Sequence, residues 1–167
     1  MHKKRSSGAF QSLKGRLRWL EKQMKEIDDR IEKVINGNEE MRTKAERIQL
    51  VKGLGKGTAA TLLAYLPELG TLSRNRVSAL GGLAPYNRDS GNFKGNRHIH
   101  GGRKRLRACL YMAAMSAIRC NPEMKEFYRR LVEDNHRPKK VALVAVMRKL
   151  LIVANSAVKN PEFLVAN

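Results

Sequence analysis

The residues best suited to chemistry form a glycine-rich turn, Gly53-Leu54-Gly55-Lys56-Gly57, followed by Thr58. Helical patterns of apolar residues precede and follow this glycine turn, which is the arrangement of a helix-hairpin-helix motif. Glycines allow a phosphate to approach the backbone closely, and the amides of the following helix start donate hydrogen bonds to its oxygens. The alternative is a plain helix end and tight turn. A nucleotide P-loop is excluded because the Gly-Lys-Ser/Thr ending is absent.

A second set of candidates is the basic run that opens a later helical pattern after a Gly-Gly pair: Arg103, Lys104, Arg105 and Arg107. Arginine makes bidentate contacts with a phosphate that lysine cannot make. Such a run can also be a solvent-exposed helix face. The nearby Lys94 and Arg97 favour contact with a nucleic-acid backbone.

The charge of the chain supports a polyanionic partner. Lys and Arg number 34 against 15 Asp and Glu, which gives a formal net charge of +19. Residues 51–107 hold 11 basic residues and only two carboxylates, Glu68 and Asp89, so they predict no two-metal site. Aromatic residues are only 5 %, which argues against a surface built on base stacking.

Other compositional features predict a cytoplasmic protein without a membrane partner. No run of about 18 apolar residues is present, and the first residues lack the apolar stretch of a secretory signal. Cys109 and Cys120 are too far apart along one helical pattern to form a disulfide, so we expect both to be reduced.

The N-terminal third of the chain carries a heptad pattern whose apolar spacing alternates between four and three residues. Its positions are Leu13, Leu17, Leu20, Met24, Ile27, Ile31, Val34, Asn38, Met41, Ala45 and Ile48. The pattern indicates a coiled coil and therefore a homo-oligomer. Gly37, between two asparagines, allows either one long helix or a hairpin of helices near residues 10–35 and 39–50, and we favour the hairpin.

The remaining chain predicts a mainly α fold. The expected order is a coiled-coil helical hairpin, then a helical domain that contains the helix-hairpin-helix and one basic loop or short β-hairpin near residues 86–102. Ser73 is expected to cap a short helix, and residues 141–153 are expected to form a buried one. The predicted domains are a basic disordered tail (1–11), the coiled-coil hairpin (12–50), the DNA-binding domain (51–158) and a tail (159–167).

Several stretches then resemble a known family. They are GLGKGTAATLLAYL, ALGGLAPYNRDSG, GGRKRLRACLYMAAMSAIRCNP and RPKKVALVAVMRKLL, in that order after the coiled coil. Together they resemble the C-terminal half of transposases of the insertion sequence 110/116/902 family, which includes the pilin-inversion recombinases. The resemblance covers about residues 12 to 155, and its most specific parts are GLAP with the downstream Ser-Gly, and GGRKRLR.

The resemblance implies DNA transposition or site-specific recombination, with Ser90 as the catalytic nucleophile on a DNA phosphodiester. Family members also carry an N-terminal ribonuclease-H-like domain with metal-binding carboxylates, and some use a structured guide RNA. We expect that acidic domain to be missing from this chain, so Mg²⁺ is implied only for the domain, no cofactor is expected here, and we do not expect full transposition by this chain alone. His98 and His100 are weaker candidates for carrying a proton.

The alternative is a non-enzymatic helix-hairpin-helix module that binds DNA or RNA, in which Ser90 is an ordinary turn serine. In both interpretations the predicted nucleic-acid contacts are the same. They are Gly53, Gly55, Lys56, Gly57, Thr58, Arg88, Lys94, Arg97, Arg103, Lys104, Arg105 and Arg107.

Overall fold

The computed structural model describes residues 3–86 and 98–164, and within them the chain is mainly helical, as predicted. The helices are α1 (Lys3–Asn36), α2 (Glu39–Gln49), α3 (Lys56–Tyr65), α4 (Arg74–Leu80), α5 (Lys104–Cys120), α6 (Pro122–Val132) and α7 (Lys139–Lys159). Two short strands are β1 (Pro85–Tyr86) and β2 (His98–Ile99), and a 3₁₀ turn spans Pro161–Leu164. The chain divides into two compact units, Met1–Glu39 and Glu40–Asn167.

The smaller unit is essentially α1. This helix begins at Lys3, well before the predicted start near residue 10, and it continues through Gly8 and Gly15. It ends at Asn36, and the Gly37 amide donates to the Lys33 carbonyl at 2.9 Å. The interruption predicted at Gly37 is therefore confirmed, and α2 begins as a separate helix.

The larger unit is built around α7, which packs against α4, α5 and α6 and has ten buried residues among its 21. Its length and apolar character would allow it to cross a membrane, but 56 % of its most apolar stretch is buried inside the unit. That burial is typical of a core helix.

The second helix also contributes to the core of the larger unit. Ala45 and Ile48, the last two heptad positions, are buried there, and the Arg47 guanidinium donates to the Val158 carbonyl at 3.0 Å. The boundary between the two units falls between Glu39 and Glu40, whereas the sequence analysis placed residues 12–50 together in a coiled-coil hairpin. A heptad pattern shows which helix face is apolar but not which partner covers it.

The two strands pair in antiparallel fashion, with Pro85 opposite Ile99 and Tyr86 opposite His98. This agrees with the short β-hairpin expected near residues 86–102, although the connecting residues 87–97 lie outside the described residues. The predicted cap is also present, since the Ser73 hydroxyl accepts a hydrogen bond from the Arg76 amide at 3.4 Å.

Candidate nucleic-acid interface

The first half of the glycine turn is fixed against α5. Gly53 has a φ of +105°, a conformation that L side chains rarely adopt, and a Cβ added there would lie 2.5 Å from the Ala117 Cβ. Leu54 is buried, and its amide donates to the Val51 carbonyl at 2.9 Å. The Asn121 side-chain amide donates to the Lys52 carbonyl at 3.0 Å. Gly53 is therefore a structural residue of the turn.

The second half of the turn faces open space. Apart from the adjacent residues and the backbone of α3 itself, no described atom lies within 4 Å of a Cβ added to Gly55 or Gly57, and Gly55, Lys56 and Gly57 are all exposed. Gly55 is the N-cap of α3 with an extended backbone, and it provides no side-chain hydrogen bond to the helix. The helix continues normally beyond it, since the Ala59 amide donates to the Gly55 carbonyl at 2.9 Å. This helix start has the room and the uncapped character that an anion requires.

The basic run divides into inward and outward cations. Arg103 faces inward, and its guanidinium donates to both carboxylate oxygens of Glu68 at 3.0 and 2.9 Å. It also donates to the Tyr65 carbonyl at 2.6 Å. The hydrogen bond from Arg103 is the main reason that the pKa of Glu68 falls from 4.5 to about 2. Arg103 thus ties the start of α5 to the end of α3.

Arg107 joins two backbone segments at the base of the strand pair. Its Nη1 donates to the Gly101 carbonyl at 2.6 Å and lies 3.5 Å from the Gly82 carbonyl. These segments cross so closely that a Cβ on Gly102 would overlap the Gly82 amide nitrogen. Gly82 and Gly102 also have positive φ angles, so glycine is required at both. Arg107 and the glycine crossing hold the entry to β1 against the exit from β2.

Lys104 and Arg105 are the outward cations of the basic run. Both are exposed. Arg105 donates from Nη1 to the Tyr65 hydroxyl at 2.7 Å, and its guanidinium carbon lies 5.9 Å from the centre of that ring. The hydrogen bond to Tyr65 raises the pKa of Arg105 above its already high value. The Tyr65 ring orients this cation while leaving it at the surface.

The structure does not bring the glycine turn and the basic run into one cluster. Lys56 begins α3 and Tyr65 ends it, and the basic run contacts the Tyr65 end. A helix of ten residues is about 15 Å long, so the two groups can contact different phosphates but not the same one.

The other predicted site residues occupy different positions. Ser90, Arg88, Lys94 and Arg97 lie outside the described residues. His98 lies in β2 and His100 follows it, and both are exposed. Thr58 lies in the first turn of α3 and is partly exposed.

A bound metal ion requires several carboxylate, histidine or cysteine side chains close together. In residues 3–86 and 98–164, no three of these side chains lie together as a metal ion would need. The described residues therefore do not fit the Mg²⁺ that the family resemblance implies for its acidic domain, and no step here is assigned to a metal.

Sequence reasoning missed Glu68, Tyr65 and Asn121, which hold the predicted cations and the glycine turn in place. One signal was available for the first of them. Glu68 is an isolated carboxylate in a strongly basic stretch, and such a residue is a natural ion-pair partner.

Comparison with known proteins identifies the family. A family model described as "Transposase IS116/IS110/IS902 family" matches residues 45–129. The "Pilin gene-inverting protein" of Moraxella lacunata is 28 % identical over 138 residues, covering 80 % of this chain and 42 % of that protein. The corresponding protein of Moraxella bovis has the same identity and coverage.

A third relative is the "Insertion element IS900 uncharacterized 42 kDa protein" of Mycobacterium paratuberculosis. It is 35 % identical over 83 residues, or 48 % of this chain and 21 % of the relative. The chain thus spans 42 % or less of the length of these relatives. Since the family model covers half of the sequence, the chain belongs to the IS116/IS110/IS902 family of transposases.

Proposed function

We propose that this chain binds the DNA backbone and takes part in DNA transposition or site-specific recombination in the cytoplasm, as part of a transposase. The observation that carries the proposal is the start of α3, where an exposed glycine turn lacks a side-chain cap. Family membership supports the reaction class, and two of the relatives are named for inverting a pilin gene. The net charge of +19 supports a polyanionic partner.

The glycine turn binds one backbone phosphate in this proposal. Amides at the start of α3 donate to the phosphate oxygens, and the positive end of the helix dipole favours the negative charge. Gly55 and Gly57 have no side chain to block the approach, and the open space at both positions supports this role. Lys56, exposed between them, adds a cation. The contact contributes affinity but no base specificity.

A charge reversal at Gly55 tests this contact. Aspartate is a good N-cap and suits the extended backbone of Gly55 (φ −86°, ψ 179°), so Gly55→Asp should fold normally while repelling phosphate. Gly55→Asn is the matched control, because it caps the same amides without a charge. We expect Gly55→Asp to weaken binding of a short duplex by about tenfold or more, and Gly55→Asn to weaken it less. Equal affinities for wild type and Gly55→Asp in fluorescence anisotropy would remove the turn from the interface.

Ser90 is the proposed nucleophile. Its hydroxyl oxygen attacks a DNA phosphorus and forms a phosphoserine ester, while the bond from phosphorus to one deoxyribose oxygen breaks. The serine proton passes to a base and then to the leaving oxygen, and rejoining reverses these steps. The strands β1 and β2 flank the segment that carries Ser90, and the exposed Lys104 and Arg105 begin the next helix. Their charge would stabilise the extra negative charge that develops on the phosphate oxygens.

Covalent trapping tests the role of Ser90. We expect a nicked or suicide duplex to yield a protein–DNA adduct on denaturing gels when an acidic ribonuclease-H-like domain of the family is supplied. Ser90→Ala should abolish the adduct but keep duplex affinity, because the proposed backbone contacts at the glycine turn are unchanged. An adduct that survives Ser90→Ala would exclude this serine as the nucleophile.

A second copy of the chain is the proposed partner of α1. Seven large apolar side chains of the heptad pattern, from Leu13 to Val34, are between 39 % and 65 % exposed. The pattern does not itself name a partner, but an identical α1 carries the same alternation of four and three residues and can therefore interdigitate with this face. We expect Leu20→Asp/Ile27→Asp to dissociate an oligomer seen by sedimentation equilibrium. Trp19→Asp, at an exposed residue off the heptad positions, should leave it intact. A monomeric wild-type chain would contradict this pairing.

The alternative function is a binding module without chemistry, for DNA or for a structured guide RNA. The observation that favours it is that the glycine turn is open at Gly55 and Gly57 and that the outward cations, Lys104 and Arg105, are exposed. It predicts that Ser90→Ala changes no measurable property. Competition between duplex DNA and structured RNA at equal salt separates the two ligands, since RNA helices are recognised through their shape and 2′-hydroxyls.

A further inference from the structure

A cleft in the larger unit, distinct from the glycine turn and the basic run, lies between the start of α4 and the C-terminal half of α7. Its volume is about 680 Å³, and its polar lining includes Ser73, Arg74, Asn75, Arg148, Ser156 and Lys159. The lining contains three cations and no carboxylate. A cleft lined by charges of one sign concentrates the field and attracts ligands of the opposite sign.

The cations of this α4–α7 cleft are not neutralised by the protein. Arg74, Arg148 and Lys159 form no ion pair within residues 3–86 and 98–164. Arg148 is nevertheless oriented, because its Nε donates to the Ser78 hydroxyl at 3.2 Å. That hydroxyl donates in turn to the Arg74 carbonyl at 2.7 Å. Arg148 is thus held through one nitrogen, and the fork of its two terminal nitrogens has no hydrogen-bond acceptor in the described chain.

The wall of the cleft is preorganised by a buried asparagine. Asn155 is only 3 % exposed, and its side-chain nitrogen donates to the Leu72 carbonyl at 2.9 Å. Its side-chain oxygen accepts from the Gly70 amide at 2.9 Å. These two bonds fasten the turn before α4 to α7, so the cations on the two sides are attached to a fixed frame. A frame of this kind lowers the ordering cost of binding.

We propose that the α4–α7 cleft binds a phosphate group of a DNA strand, as a contact additional to that at the glycine turn. The inference rests on the proposed function in that the chain must bind DNA, but it uses different residues. An arginine fork together with two further cations matches the charge and the acceptor oxygens of a phosphodiester. The hydroxyls of Ser73 and Ser156 add neutral donors of the kind that also contact phosphates.

The salt dependence of DNA binding tests the cleft in the full chain. Arg74→Gln/Lys159→Gln removes two cations whose residues are both exposed, so we expect the fold to be retained. The control is Lys139→Gln/Lys140→Gln, an equal charge change at exposed residues of α7 that do not line the cleft. We expect the cleft variant to lower the slope of log affinity against log salt by about 1 to 2 and to weaken binding about tenfold, with a clearly smaller change in the control.

The results separate this proposal from that for the glycine turn. If the cleft variant and its control weaken DNA binding equally, the cleft proposal is wrong, whatever Gly55→Asp does. If Gly55→Asp is silent while the cleft variant weakens binding more than its control, the cleft stands and the turn does not. If the cleft variant affects structured RNA but not DNA, the assignment to DNA is wrong. A wild-type chain that does not bind DNA at all would overturn both proposals.

Crosslinking provides a second readout that does not depend on affinity. Asn75 lines the cleft and is exposed, so a photocrosslinking residue placed there should capture a bound duplex. The same residue at Lys125, which is exposed on α6 and outside the cleft, should capture little. Equal yields at the two positions would overturn the proposal.

Discussion

The backbone of the glycine turn before α3 is open to solvent at Gly55 and Gly57. In the basic run at the start of α5, by contrast, some cations bind groups of the protein and others face solvent. Gly55 and Gly57 have no neighbour that an added Cβ would touch. In the basic run, Arg103 is paired with Glu68, and Arg107 binds the Gly101 carbonyl. The number of cations in a stretch of sequence therefore overstates the positive charge that is available to a ligand. Only charges that the fold does not itself use remain fully available to a phosphate.

The two halves of the glycine turn should differ most in how their glycines tolerate a side chain. Gly53→Ala should lower the free energy of unfolding by about 3 kcal/mol, because alanine disfavours a positive φ and its Cβ would press on Ala117. Gly55→Ala should lower it by only about 1 kcal/mol, the cost of a poorer N-cap, since its backbone is extended and its surroundings are open. Chemical denaturation of the two variants provides the measurement. Similar losses for both would show that the two halves of the turn do not differ as described.

The next effect concerns the two classes of cation in the basic run. Lys104→Ala/Arg105→Ala should weaken duplex binding about tenfold and lower the salt slope by about 2, because both residues are exposed. Thermal stability should change little. Arg103→Lys should do the reverse, since it disrupts the bidentate pair with Glu68 while keeping the charge. If Arg103→Lys weakened binding as much as the double variant, the division into inward and outward cations would fail.

The smallest effect is the pH dependence of the pair formed by Arg103 and Glu68. The pKa of Glu68 is lowered from 4.5 to about 2, so the pair stabilises the folded state above pH 4.5. That contribution should be lost progressively as the pH falls from 4.5 towards 2. Glu68→Gln should be less stable than wild type at neutral pH, and the difference should shrink in this window. A constant difference in melting temperature from neutral pH to pH 2 would contradict the role of the pair.

Features set by local sequence were predictable. The helix break at Gly37, the Ser73 cap and the mainly α content follow from glycine, from a short hydroxyl side chain and from the periodicity of apolar residues. The strand pair fits one of the two alternatives predicted there, a basic loop or a short β-hairpin, and the hairpin alternative rested on the turn residues between its ends. Each of these inferences depends on residues that are close in the chain.

Features set by distant contacts were not predictable. Glu68 and Arg103 are 35 residues apart, so the sequence showed an isolated carboxylate and a basic run but not which cation the carboxylate binds. The burial of Ala45 and Ile48 in the larger unit was missed for a related reason, because the heptad pattern does not specify its partner. The α4–α7 cleft is lined by residues from two parts of the chain that are far apart in sequence. No single stretch of the sequence therefore predicts the cleft.

The most direct test of the central claim is a titration of the full chain with a short DNA duplex, followed by the backbone amide resonances of residues 56–58. If the start of α3 binds a phosphate, these amide protons should shift downfield and saturate at the affinity measured by anisotropy. Gly55→Asp should abolish the shifts. If the shifts were confined to the start of α5 while residues 56–58 did not change, the claim that the exposed glycine turn holds the DNA backbone would be contradicted.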